Sequence, residues 1–141
     1  MRLWHYKLVR FLPNSQLIAQ WRELNSIFKS GKGGINHILI NYVKEYENVN
    51  LLYYCVFVTH EMNERGIHFQ IKAFNEFFTH EDFQKAIFFN EGDNPFPNHH
   101  TERYLLQCFY NLQEKYDRGQ KDFTEEQYEK LEEFVKHEMQ H

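Results

Sequence analysis

Leu17, Trp21, Leu24 and Phe28 recur at the i, i+4, i+7, i+11 spacing of one helical face, a pattern that no strand can bury on one side. Pro13 stops the segment before it and Asn14 is placed to cap, so the spacing predicts a helix from about Ser15 to Lys29. A helix with so bulky a stripe needs partners, and the remaining chain offers more helices. Ser30-Gly31-Lys32-Gly33-Gly34 breaks the first and reads as a flexible connector, since it lacks the pattern of a nucleotide loop. A second helix is expected over Ile35 to Glu47, with Ile35, Ile38, Leu39 and Tyr42 on its stripe. Asn50 is expected to cap a third, Leu51 to Arg65, which Gly66 closes. Val56-Phe57-Val58 would suit a strand, but length and the Asn/Gly brackets favour helix.

Further on, Ile67 to Ile71 reads as extended, and Thr79 as the cap of a short turn through Phe89. Asn90 to Pro97 is a loop without a domain boundary, because the pieces on either side are too small to stand alone. Thr101 caps a helix from Glu102 to Arg118, ended by Gly119. Thr124 and Gln127 form a capping box for the last helix, Glu125 to about Met139. The expected architecture is all-α: a compact single-domain helical bundle spanning residues 1–141, with 124–141 an acidic C-terminal helix. Leu3, Trp4, Leu8 and Phe11 would pin the aperiodic start onto it.

A chain of 141 residues supports one core, and its 14 Phe and 9 Tyr let few residues bury much surface. It contains no run of 18 apolar residues. Arg10, Pro13 and Asn14 interrupt any signal-peptide core, so a cytoplasmic location and no membrane partner are expected. Cys55 and Cys108 sit in apolar helical contexts and read as small core residues. The nine histidines form no metal-ligand pattern: His99 and His100 are adjacent, His137 and His141 sit one turn apart at the chain end, and His60-Glu61 has no second histidine four residues on. A net charge of -4 argues against a generic nucleic-acid binder. Residues 1–34, however, carry Arg2, Lys7, Arg10, Arg22, Lys29 and Lys32 against Glu23 alone, so any DNA face should include this quarter.

Arg22 and Glu23 lie at the edge of the first helix's buried stripe, where an ion pair can reach solvent or a ligand. By spacing alone they are an ordinary solvated pair. Yet Met1-Arg2-Leu3-Trp4 together with Gln20-Trp-Arg-Glu-Leu24 resembles the phage-type pyrimidine-dimer DNA glycosylases, the dimer-excising endonuclease V type. In that family the amino group at the mature N-terminus is the nucleophile, an arginine follows it, and an Arg-Glu pair on the first long helix supplies the catalytic carboxylate. Arg2, Arg22 and Glu23 match these positions. The resemblance covers the first 24 residues closely and the rest in outline: His37 opens the second core segment, Arg65-Gly66 ends the next, and Lys115 matches a lysine that approaches DNA. Departures are Gln16, Ser26 and Asn111 at three DNA-facing polar or basic positions, and an acidic helix from Thr124 where the phage enzyme has an aromatic-lysine tail. They bear on lesion recognition more than on chemistry.

The resemblance implies Met1 and Glu23 as catalytic residues, Arg2, Arg22, His37 and Lys115 as DNA-binding residues, damaged double-stranded DNA as partner, and no cofactor. Arg2 is bulky enough to keep Met1 in place, so the nucleophile would be the Met1 amine. An α-amino group titrates at about 8, leaving an appreciable unprotonated fraction near neutrality. Attack on C1′ would displace the base and leave a Schiff base, and Glu23 would stabilise the sugar cation and take the 2′ proton. The alternative is a non-catalytic nucleic-acid-binding or protein-interaction module that keeps the fold. A buried Glu23, or an N-terminus far from it, would select that alternative. Convergence of the Met1 nitrogen, Glu23 and Arg22 would select the enzyme. The particular lesion and the oligomeric state stay open.

Overall fold

The computed structural model describes residues 1–140; His141, the second histidine of the C-terminal pair, lies outside them. Six α-helices carry the fold: α1 (Asn14–Ser30), α2 (Asn48–Glu64), α3 (Lys72–Phe77), α4 (His80–Ala86), α5 (Glu102–Asp117) and α6 (Glu125–Met139). Three 3-10 segments, Tyr6–Phe11, Lys32–Gly34 and Ile38–Glu45, join them, and no strand occurs among the described residues. The protein is therefore an all-α single domain. α1 packs on α2 and α3, α2 on α4, and α5 on α6, while the first 3-10 segment touches α2, α5 and α6. No helix among the described residues is long and apolar enough to cross a membrane.

The stripe on α1 is buried as its spacing requires: Leu17, Trp21, Leu24 and Phe28 all lie in the core, joined by Ile27. Trp21 meets Phe28, Phe69 and Phe74 at ring-centroid distances of 5.5–6.0 Å. Its indole N–H donates to the Gln70 carbonyl at 3.0 Å, so the apolar body is buried without orphaning its polar atom. The start of the chain is pinned as anticipated. Leu3, Trp4 and Leu8 are buried, and Phe11 packs on Phe134 of α6 at 4.8 Å. Arg65 closes the far end of this segment, donating to the Arg10 and Leu12 carbonyls and to the Asn14 side chain while its Nε binds Glu61.

Three local expectations are corrected, and one short helix is added. Asn14 is the first residue of α1 and not its cap; its side chain accepts from Arg65 at 2.9 Å. The expected helix Ile35–Glu47 is instead a 3-10 helix, Ile38–Glu45. With three residues per turn, Ile40 and Val43 point inward and Ile38, Asn41 and Lys44 line up on the outside. α2 begins at Asn48, and Asn50 spans to the Pro95 carbonyl at 2.8 Å rather than capping. Lys72–Phe77 is a helix that the Phe cluster concealed. Gly66 has φ 70°, the left-handed turn that ends α2 and that only glycine adopts freely.

Beneath the first residues lies a stack of His5, Tyr6, His100 and Tyr104. His5 Nδ1 accepts from the Lys7 amide and its Nε2 donates to the His100 carbonyl at 3.1 Å. His100 Nδ1 accepts from the Tyr6 amide, leaving Nε2 for the Tyr42 hydroxyl at 2.9 Å. Both rings are thus held neutral, since a second ring proton would point at a backbone N–H. Burial pushes His5 down to about 4, against weaker opposing effects from the His100 carbonyl and Glu138, and His100 well below its ordinary value. The unfolded imidazole takes up its proton near pH 6.5 and the folded His5 only near 4. Stability should therefore be complete above pH 6.5 and fall as pH drops towards 4, by on the order of 3 kcal/mol from His5 alone. Thermal melts across that window check it: the slope should flatten in His5→Gln, and an unchanged slope would contradict the assignment.

Candidate active site

The site is built where the first five residues cross the middle of α1. Gln20, one turn after Leu17 and one before Leu24, is a polar side chain in a core position and is only 1% exposed. Its Oε1 accepts from the Trp4 amide at 2.8 Å and the Tyr54 hydroxyl at 3.0 Å. Its Nε2 donates to the Arg2 carbonyl at 3.0 Å and to Glu23 Oε2 at 3.1 Å. One amide therefore ties the chain start to the carboxylate on the next turn of the same helix. Tyr54 of α2 shares its one O–H between Gln20 Oε1 and the closer Trp4 carbonyl at 2.6 Å, and Tyr104 of α5 donates to the Leu3 carbonyl at 2.7 Å. Every buried side-chain polar atom among the described residues has a partner.

This scaffold places the Met1 nitrogen 3.0 Å from His37 Nε2. His37 caps the Ile38–Glu45 helix by accepting the Leu39 amide on Nδ1, at 3.3 Å. With Nδ1 held by the Leu39 amide, the ring turns its Nε2 towards the Met1 nitrogen. Glu23 is half-buried. Desolvation pushes its carboxyl up, while the amino terminus and Arg22 pull in the opposite direction, so both positive groups are within electrostatic reach of it. The amine thus has the His37 imidazole as hydrogen-bond partner and the Glu23 carboxyl within electrostatic reach.

Met1, Glu23, Arg22 and His37 are thus brought together. Arg22 is exposed at the rim. Arg2 folds back: its guanidinium lies 5.6 Å from the Trp4 ring centroid and 4.0 Å from Cys108 Sγ. Lys115 lies apart from the others, in the last turn of α5. Its carbonyl accepts from Gln120, whose side chain reaches Ser15 and Gln16 at the start of α1. That point is seven residues before Glu23, roughly 10 Å along the helix axis. The anchors Gln20, Tyr54, Tyr104 and His100 were not singled out from the sequence. For Gln20 the signal was present, a polar residue on the apolar stripe. For the others the partners are backbone atoms on distant segments.

No cluster of three potential metal-ligating side chains occurs among the described residues. Compared with known families, residues 1–75, from the chain start into α3, match the family described as pyrimidine dimer DNA glycosylase. No curated protein and no solved structure matches the chain.

Proposed function

Since the chain belongs to the pyrimidine dimer DNA glycosylase family, we propose that it excises a lesion from damaged double-stranded DNA and cleaves the strand, through an imine formed by its Met1 amine. The observation that carries this reading is the convergence of the Met1 nitrogen, His37 and the half-buried Glu23 on an anchored chain start. The unprotonated amine attacks C1′, and the glycosidic C–N bond breaks with its electron pair leaving on the base. Loss of the amine proton and opening of the sugar give the protonated imine. Glu23 stabilises the cationic sugar and then takes the C2′ proton, so that β-elimination expels the 3′ phosphate. A carboxyl raised by burial suits proton abstraction better than a fully solvated one. The chemistry uses protein groups alone and needs no cofactor.

In this reading Arg22 meets phosphate at the rim, Lys115 holds the backbone farther along, and His37 faces the DNA beside the amine it hydrogen-bonds. Arg2, turned towards Trp4 and Cys108, contributes positive charge at the edge of the site. The test is borohydride trapping of protein with a free N-terminus on abasic and on UV-irradiated duplex. The expected result is a covalent adduct that maps to Met1. Absence of an adduct on both DNAs would overturn the reading.

A further inference from the structure

Two apolar side chains beside the amine are left uncovered. Ile38 is 83% exposed and Leu39 46% exposed, although Ile40 and Val43 of the same 3-10 helix are buried. The helix is anchored from below: Ile35 is buried just before it, and Lys32 reaches back to the Tyr46 carbonyl at its end. Its exposed edge runs Ile38, Asn41, Lys44, so an apolar tip is followed by an amide and then a cation. The tip is registered to the nucleophile through one ring, since His37 accepts the Leu39 amide on one nitrogen and meets the Met1 amine with the other.

From this placement we infer that Ile38, supported by Leu39, is a wedge that enters the base stack of the duplex at the lesion. The inference rests on the proposed DNA-repair reading and specifies how that site reaches C1′. A stacked duplex hides C1′ from an amine held rigidly on a protein surface, so the nucleotide must be unstacked or the helix kinked. Aliphatic side chains inserted between base steps do this, and the cost is met by contacts that the kinked DNA then makes. Asn41 can hydrogen-bond a base edge or sugar beside the opened step, and Lys44 meets the adjacent phosphate. Fixing the wedge through His37 means that the step it opens is the one facing the amine.

The experiment compares wild type, Ile38→Ala and Ile38→Met in single-turnover borohydride trapping on an abasic site, presented in duplex and in single-stranded DNA. Ile38 is so exposed that neither change disturbs the core, which a thermal melt verifies. Ile38→Ala should slow duplex trapping by about tenfold or more, leave the single strand unaffected, and be rescued largely by Ile38→Met. In parallel, 2-aminopurine next to the site should brighten on binding wild type and stay dim with Ile38→Ala. Equal duplex rates for wild type and Ile38→Ala would overturn the wedge while leaving the imine chemistry standing. An equal loss on single-stranded DNA would also overturn it, by moving Ile38 into the chemical step. Wild type that traps neither DNA would instead overturn the enzymatic reading on which the wedge rests.

Discussion

One residue added before Met1, or acetylation of its amine, is expected to abolish the borohydride-trapped adduct completely while leaving the melting temperature within a degree or two of the parent. An amide nitrogen has no available lone pair for imine formation, and an added residue carries the new amine about 3.8 Å away from His37 and Glu23. The fold should not notice, because the anchoring contacts begin at the Arg2 carbonyl and Met1 itself is 40% exposed. Mass spectrometry of both proteins before the assay establishes the state of the N-terminus. An acetylated protein that still forms the adduct would place the nucleophile elsewhere, on a lysine side chain.

Glu23→Gln should lower excision and strand cleavage by about 10²- to 10⁴-fold, the usual contribution of a positioned general acid or base. The substituted amide oxygen can still accept from Gln20, whose Nε2 lies 3.1 Å from Glu23 Oε2, so packing is preserved and only the charge and the basic oxygen are lost. Condensation of the amine with an abasic aldehyde requires neither. Trapping on abasic DNA should therefore persist while cleavage of the same DNA nearly stops. Loss of both in parallel would mean that the carboxylate positions the amine and does not act as the base. In wild type the acid limb of the cleavage rate should lie above the ordinary carboxylate range, because burial raises Glu23, and that limb should vanish in the variant.

The first helix, the two C-terminal helices and their threonine caps follow directly from local sequence. Thr101 and Thr124 cap where they stand, and Thr79 forms a full capping box with Asp82. The misjudged segment is Ile35–Glu47, and the reason is periodic. A stripe at α-helical spacing put Ile38 and Leu39 inside, whereas a turn of three residues puts Ile40 and Val43 there. The difference moves an aliphatic pair from core to surface, next to the amine. Of the candidate site, Met1, Glu23 and Arg22 are named by the resemblance in the first 24 residues, and the structure places them near one another. The clamp on the chain start was not, because Tyr54, His100 and Tyr104 act on carbonyls and amides that no side-chain pattern reveals. The expectation of a basic N-terminal face is modified by the structure: Lys7 pairs with Glu138 at 2.8 Å, and Arg10 lies over Phe11 and Phe134.

The order of synthesis gives the histidine-tyrosine clamp another consequence. His100 and Tyr104 hold backbone atoms 94 and 101 residues upstream, so residues near Met1 are fixed by groups synthesised long after them. Such long-range closure is slow compared with forming α1 or α2 locally. The segment that carries the Met1 amine therefore lacks these two anchors until α5 docks. In the proposed reading the aiming of the amine is thereby tied to completion of the fold, and a truncated chain ending before His100 would keep residues 3–6 but lose the groups that anchor them.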